Sequence, residues 1–191
     1  MPNLNAPMGF IPIRSATSGP YNDGAMVYAA AAGDSVVIRL GDPVTVTGTA
    51  DANGVPIVAR STAGSGNAIT GIAVGFRPVG SDQPFTSNRP ASTAAEVLVQ
   101  DDPNAEYEIQ EDSDTSTLAA ADVGLNAAIV FGTPGSTNRS AAMIDSSTKA
   151  TTAGLQVRIV GLSQRVGNEI GDYAKWRVRL NNVNTTAGAG A

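Results

Sequence analysis

Apolar and polar residues alternate with a period of two along much of this chain, in short runs broken by glycine, proline, aspartate and asparagine. Val36, Ile38 and Leu40 fall on one side of a run whose other side carries Val37 and Arg39, and Val44–Thr47 alternates again after Gly41-Asp42-Pro43. Asp51-Ala52-Asn53-Gly54 has the composition of a turn and leads into Val55–Val58. Residues 68–76 predict a strand in which Gly71 and Gly75 mark a bulge or a close approach of another backbone. Glu96–Val99 predicts a strand, and Tyr107–Glu111 reads as its hairpin partner across the turn Asp101–Asn104. Ala127–Phe131 is a further strand, residues 132–140 read as loop, and residues 145–152 as a polar run. The clearest pattern lies near the end. Leu155, Val157 and Ile159 alternate with Gln156 and Arg158, and Trp176, Val178 and Leu180 with Arg177 and Arg179. Two antiparallel strands sharing one buried face follow from it.

Helical signals are sparse. Ser116–Gly124 is the best candidate, with a hydroxyl to cap it, alanines to propagate it and Gly124 to end it, for two turns at most. Tyr28–Ala32 fits a helical turn or a strand end equally well. The expected fold is therefore all-β and mainly antiparallel, a small barrel or sandwich with an extended N-terminal arm and at most one short helix. The arm is residues 1–24, where Pro2, Pro7, Pro12 and Pro20 hold the backbone extended around Met8, Phe10, Ile11 and Ile13. A β-rich domain is expected over 25–183, with a long loop at 77–94, and a flexible Gly/Ala/Thr tail over 184–191.

Composition narrows the chemistry. The 191 residues contain no cysteine and no histidine, which removes thiolate, imidazole and zinc-finger chemistry and leaves carboxylates and hard oxygen-ligand metal sites. Twelve Lys+Arg against seventeen Asp+Glu give a net charge of −5, the wrong sign for a nucleic-acid binder. The first residues lack the basic and apolar regions of a secretion leader, and no run approaches the length of a membrane-spanning helix. Val and Ile far outnumber Leu, in keeping with strands. Large apolar residues are few beside the abundant alanine, so a small core supplemented by partner contacts is expected, with a marginally stable isolated monomer.

The densest charge feature is acidic: Asp101, Asp102, Glu106, Glu108, Glu111, Asp112 and Asp114 fall within fourteen residues. A solvated acidic hairpin is its plainest reading, with Glu106 and Glu108 on one solvent-facing side of a strand. A weak Ca²⁺ site, a glycosidase pair and attraction to the arginines of a neighbouring subunit are the alternatives. Gly64-Ser65-Gly66 lacks the Lys-Ser/Thr ending of a phosphate loop, and no serine elbow is present. No catalytic residue, cofactor or metal ion is assigned. Arginine exceeds lysine ten to two, which suits either protein interfaces or a GC-rich genome. The candidate interface residues are Phe10, Ile11 and Ile13, which would fill grooves on a partner, Arg14, which would pair with its carboxylates, and Arg77 and Arg89 of the long loop.

Several segments resemble proteins of tailed-bacteriophage head modules: Ala6-Pro7-Met8-Gly9-Phe10-Ile11-Pro12, Gly41-Asp42-Pro43-Val44, Gly71-Ile72-Ala73-Val74-Gly75-Phe76, Arg89-Pro90-Ala91-Ser92-Thr93, Val99-Gln100-Asp101-Asp102-Pro103, the run Leu118–Asn126, and Asn168-Glu169-Ile170-Gly171. They spread from Ala6 to about Asn182 and are turn and strand signatures. The family they resemble is the capsid decoration, or cement, proteins. That resemblance implies a virion structural protein without enzymatic activity, made in the host bacterial cytoplasm, that binds the outer capsid surface and stabilises capsomer contacts. The implied partners are the major capsid protein and further copies of the chain, as a trimer, with no nucleic acid and no membrane. A tail or fibre component, or a carbohydrate-binding β module, is the alternative expectation.

Overall fold

The structure, a computed structural model, describes residues 3–15, 19–20, 24–79, 87–135 and 137–184. The expected tail beyond residue 184 and the middle of the 77–94 loop lie outside these residues. Among the described residues there are fourteen strands: β1 (Ile11–Ser15), β2 (Gly19–Pro20), β3 (Met26–Ala30), β4 (Ile38–Arg39), β5 (Pro43–Ala50), β6 (Pro56–Arg60), β7 (Gly71–Pro78), β8 (Asn88–Arg89), β9 (Ala95–Gln100), β10 (Ala105–Gln110), β11 (Asn126–Phe131), β12 (Ala142–Ala150), β13 (Val157–Leu162) and β14 (Lys175–Leu180). The fold is all-β and mainly antiparallel, as the alternation predicts.

Twelve of the strands build two bodies, and β4 and β8 pair with each other as a separate two-stranded sheet. One is a closed barrel in the order β3-β6-β5-β7-β9, antiparallel except where β3 meets β6. The other is a seven-stranded sheet in the order β12-β11-β13-β14-β10-β1-β2. This sheet curls until Glu111, just past β10, bridges Ile144 of β12. The barrel is thus inserted between the second and third strands, in chain order, of the larger sheet.

Each body has its own core. Val44, Val58, Phe76, Val97 and Val99 fill the barrel with Ile38, Ala30 and Ala73. Tyr107, Ile109, Ile129, Ile144, Val157, Ile159, Trp176 and Val178 fill the concave side of the sheet. Phe10 stands edge-on to Tyr107 there, with ring centroids 5.8 Å apart. Alanine is part of both cores: Ala30, Ala73, Ala95, Ala105, Ala127, Ala142 and Ala174 are all buried. Small side chains let strands close tightly around a narrow interior, which is how a chain with few large apolar residues still forms two cores.

Hydrogen bonds join the bodies. The buried Gln156 amide donates to Thr62 O (2.9 Å) and accepts from Gly64 N (2.9 Å) and Ile129 N (3.2 Å). The Arg60 guanidinium of the barrel stacks 4.5 Å from the Phe131 ring of the sheet. Gly9, at φ +68°, lies where three segments cross. A Cβ there would fall 2.3 Å from Ser140 Cβ and 2.5 Å from Gly41 O, so only glycine lets these backbones meet.

Four expectations change. Residues 3–15 pack on their own chain: β1 pairs with β10, and the segment before it is tied to the same body. Ala6 N donates to Gln110 Oε1 (3.0 Å), and the Asn3 amide donates to Glu169 O and Asp172 O. Second, β9 and β10 are not a hairpin. The Asp101–Asn104 turn forms, with Ala105 N donating to Asp102 O (3.0 Å), but it carries the chain from the barrel to the other sheet. Third, residues 142–150 form a strand whose buried side is Ala142, Ile144 and Ser146, the last hidden in the polar run. Fourth, the helix shrinks to one 3-10 turn, Ala120–Asp122. The Asp122 carboxylate accepts from Ala119 N (2.8 Å) and Lys149 Nζ (3.0 Å), and Gly124 turns away at φ +95°.

Candidate functional site

Strand alternation places the site. In β14, Trp176, Val178 and Leu180 point into the core, so Lys175, Arg177 and Arg179 point out. Their register partners on β10 are Gln110, Glu108 and Glu106. Ile11 and Arg14 of β1 lie opposite Glu108 and Glu106 on the other side of β10. Arg158 of β13 lies opposite Arg179. The convex face of the sheet therefore carries a band of charge across four adjacent strands.

Glu106 is the hub, fully buried beneath the arginines that cover it. Arg14 grips it with two bonds, Nε to Oε2 at 2.9 Å and Nη2 to Oε1 at 3.1 Å. Arg179 adds Nη2 to Oε1 at 2.8 Å and Nε to Oε1 at 3.2 Å, and Arg177 Nη1 stands 3.8 Å from Oε2. The bond from Arg14 is the largest influence holding this carboxyl below its ordinary value, and Arg179 adds to it. Glu108 is held by Arg165 Nη1 (2.6 Å) and by the Ser163 hydroxyl.

Six cations, Arg14, Arg158, Arg165, Lys175, Arg177 and Arg179, share this face with two carboxylates. The result is a local positive excess on a chain whose net charge is −5. The guanidinium of Arg158 makes no hydrogen bond or ion pair among the described residues, and the residue is exposed. It lines an open cleft of about 440 Å³ with Arg179, Val160, Ile159, Val123 and Gly124.

The sequence-predicted residues divide. Ile11 and Arg14 reach this face, and Ile13 is 39% exposed at the irregularity between Pro12 and Arg14. Phe10 does not reach it: the residue is buried in its own core, so it cannot also fill a groove on another molecule. Arg77 is exposed on the barrel, opposite Glu96. Arg89 is fully buried, another correction. Its guanidinium donates to Thr93 O (2.6 Å), Val36 O (2.7 Å) and Ala31 O, and pairs with Asp34 at 3.3 Å. It is a clamp on its own loops, and burial lowers its pKa.

The acidic stretch is not a solvated hairpin. Asp101 accepts from the Tyr28 hydroxyl (2.8 Å), Asp102 from Ser15 (2.7 Å) and Asp112 from Ser146 (2.9 Å), while Glu106 and Glu108 are covered by arginines. Glu111 is buried, accepting from Leu118 N (2.6 Å) and Trp176 Nε1 (3.4 Å), and burial pushes its carboxyl up to about 7. No group of three acids among the described residues is placed to hold a metal ion, and no helix there is long and apolar enough to cross a membrane. The salt-bridge partners of Glu106 lie up to 92 residues from it in sequence. Only the Arg177/Arg179 alternation signals them locally. No family model, curated protein or solved structure matches the chain.

Proposed function

We propose that this chain is a capsid decoration protein of a tailed phage, located on the outer surface of the virion head, where it binds the major capsid protein and further copies of itself as a trimer. Its work is contact rather than chemistry. The observation that carries this reading is the arginine band on the convex sheet face. The guanidinium groups of Arg14, Arg165, Arg177 and Arg179 are held from below by Glu106 and Glu108, so little of their side-chain freedom is lost when a partner docks. Arginine suits such a face because its planar fork binds carboxylates in pairs and its stem packs on apolar surface.

The head-module resemblance is consistent with this in a structural way. Gly9 and Gly41, both within segments that carry the resemblance, meet where the N-terminal segment crosses the barrel: Phe10 N donates to Gly41 O at 3.0 Å. Those signatures therefore specify how the two bodies join. Many copies on a shell need only modest contacts each, because binding accumulates over the lattice.

The test is co-sedimentation of the purified chain with expanded heads of the encoding phage that lack it, beside a glycan array and isolated tails. Saturable binding to heads, with a rise in the temperature at which they release DNA, is expected. Binding to tails or glycans without binding to heads overturns the reading in favour of a fibre component or a carbohydrate-binding module.

A further inference from the structure

We propose that the cleft between Arg158 and Arg179 is a docking site for an acidic protein segment, one that places a carboxylate between the two guanidinium groups and an apolar side chain beside it. This rests on the reading of the convex face as a contact surface, but not on the partner being a capsid.

The first reason is electrostatic. Arg158 and Arg179 lie directly opposite one another on neighbouring strands. Like charges in that position oppose strand pairing, and a fold under no other constraint would place a neutral or acidic residue at one of them. Arg179 is drawn toward Glu106 on its far side. Arg158 has no carboxylate partner among the described residues, so nothing among them offsets the repulsion. A carboxylate entering from outside removes it.

The second reason is shape. The cleft holds about 440 Å³, room for one or two side chains. Nothing lies within 4 Å of where a Gly124 Cβ would be, so the wall there is bare backbone. Val123, 45% exposed, and Val160 give the cleft an apolar side next to its charged side. A lone inorganic anion makes no use of the valines.

The third reason selects a protein segment over nucleic acid. A polyanion must approach a chain of net charge −5, and its many phosphates require a basic track longer than this band. A short acidic segment needs only the local excess. The cleft is also prepared in advance, because Arg179 is fixed by two bonds to Glu106 before any partner arrives.

The experiment uses the full chain and a fluorescent twelve-residue peptide alternating Glu with Leu and Ser. Its controls are the same peptide with Gln for Glu, a single-stranded DNA oligonucleotide and inorganic phosphate. Anisotropy gives affinity, and amide chemical shifts map the site. The acidic peptide is expected to perturb Val123, Gly124, Arg158 and Val160, and Arg158→Ala to weaken it by about tenfold, as loss of a charge-assisted bidentate contact does. Arg158→Lys restores the charge but only part of the affinity, because ammonium lacks the planar fork. Arg77→Ala, on the barrel, leaves binding unchanged. Arg158 is exposed and bonded to no side chain among the described residues, so its variants fold, and circular dichroism verifies this. Equal binding of the Gln peptide, unchanged binding by Arg158→Ala, or tighter binding of DNA or phosphate overturns the proposal. If heads bind Arg158→Ala normally while the peptide does not, the cleft stands and the capsid contact lies elsewhere. If the peptide fails with the wild-type chain while heads still bind, the cleft proposal falls and the decoration reading survives.

Discussion

Two glutamates five residues apart titrate in opposite directions, and each direction has a visible cause. Glu111 sits beneath the segment leading to the 3-10 turn, where burial outweighs the bonds from Leu118 N, Trp176 Nε1 and the backbone near Ala174, and nearby Asp112 pushes the same way. With its carboxyl near 7 in the fold and near the ordinary value when unfolded, its contribution is complete below about pH 4.5. That contribution is lost as pH rises toward 7, by up to about 3 kcal/mol. Glu111→Gln keeps an acceptor for Leu118 N and cannot ionise, so urea unfolding of this variant should lose that downward slope between pH 5 and 7.5. A slope identical to wild type would show that another group is responsible. For Glu106 the sign reverses. Its value is lowered, so its contribution is present above the ordinary carboxyl value and is lost as acid protonates it in the fold.

At the scale of elements, β1 depends on that second glutamate. It lies near the edge of the sheet, its pairing with β10 is irregular between Pro12 and Arg14, and beyond it lies only the two-residue β2. Arg14 gripping Glu106 is a side-chain tie across this pair. Glu106→Gln should therefore speed amide exchange several-fold in Ile11–Ser15 while leaving β13 and β14 protected, and acid should do the same to the wild type. Uniform exchange throughout the sheet would argue against this local role. Element existence was largely legible along the chain. β5, β6, β7, β9, β10, β11, β13 and β14 all fall on runs that read as strands, and the bulge at Gly75 and the close approach at Gly71 are marked by the glycines themselves. β12 was hidden because its second half buries a serine rather than an aliphatic residue: Ser146 donates to Asp112 (2.9 Å) and Ser116 O (2.7 Å). The 116–124 helix shrinks to one capped turn because so short a segment cannot recover the cost of nucleation and Glu111 takes the Leu118 N–H.

The whole molecule turns on the crossing at Gly9, Gly41 and Ser140. Gly9→Ala adds a methyl 2.3 Å from Ser140 Cβ and also forces an L residue into the left-handed region. A cost of more than about 2 kcal/mol is expected, a fall in Tm of about 4 °C or more for a chain of this size. Thermal unfolding followed by Trp176 fluorescence, which reports the sheet, measures it. A variant as stable as wild type would mean the two bodies do not depend on this contact. Arg89, on β8 beside β4, illustrates the same scale. Its position in the long loop resembled a surface site, but four partners from residues 31, 34, 36 and 93 enclose it.

What the sequence alone determined was the local part: strands, turns, the all-β class and the exclusion of cysteine and histidine chemistry. Side-chain period and backbone freedom act over a few residues, so they can be read in order. It also placed Ile11 and Arg14 at a surface, on an extended segment that the structure pairs with β10. Only the tertiary structure decided which strands pair, and with that everything about the site. Glu106 became a buried hub because β1, β10 and β14 converge from opposite ends of the chain, bringing Arg14 and Arg179 onto one carboxylate. Phe10 turned inward for the same reason, since its neighbour Tyr107 was fixed by strand pairing rather than by sequence. Which side of a strand faces the core is set by period. Which charges share a face is set by register between strands far apart in sequence, and no local pattern encodes that.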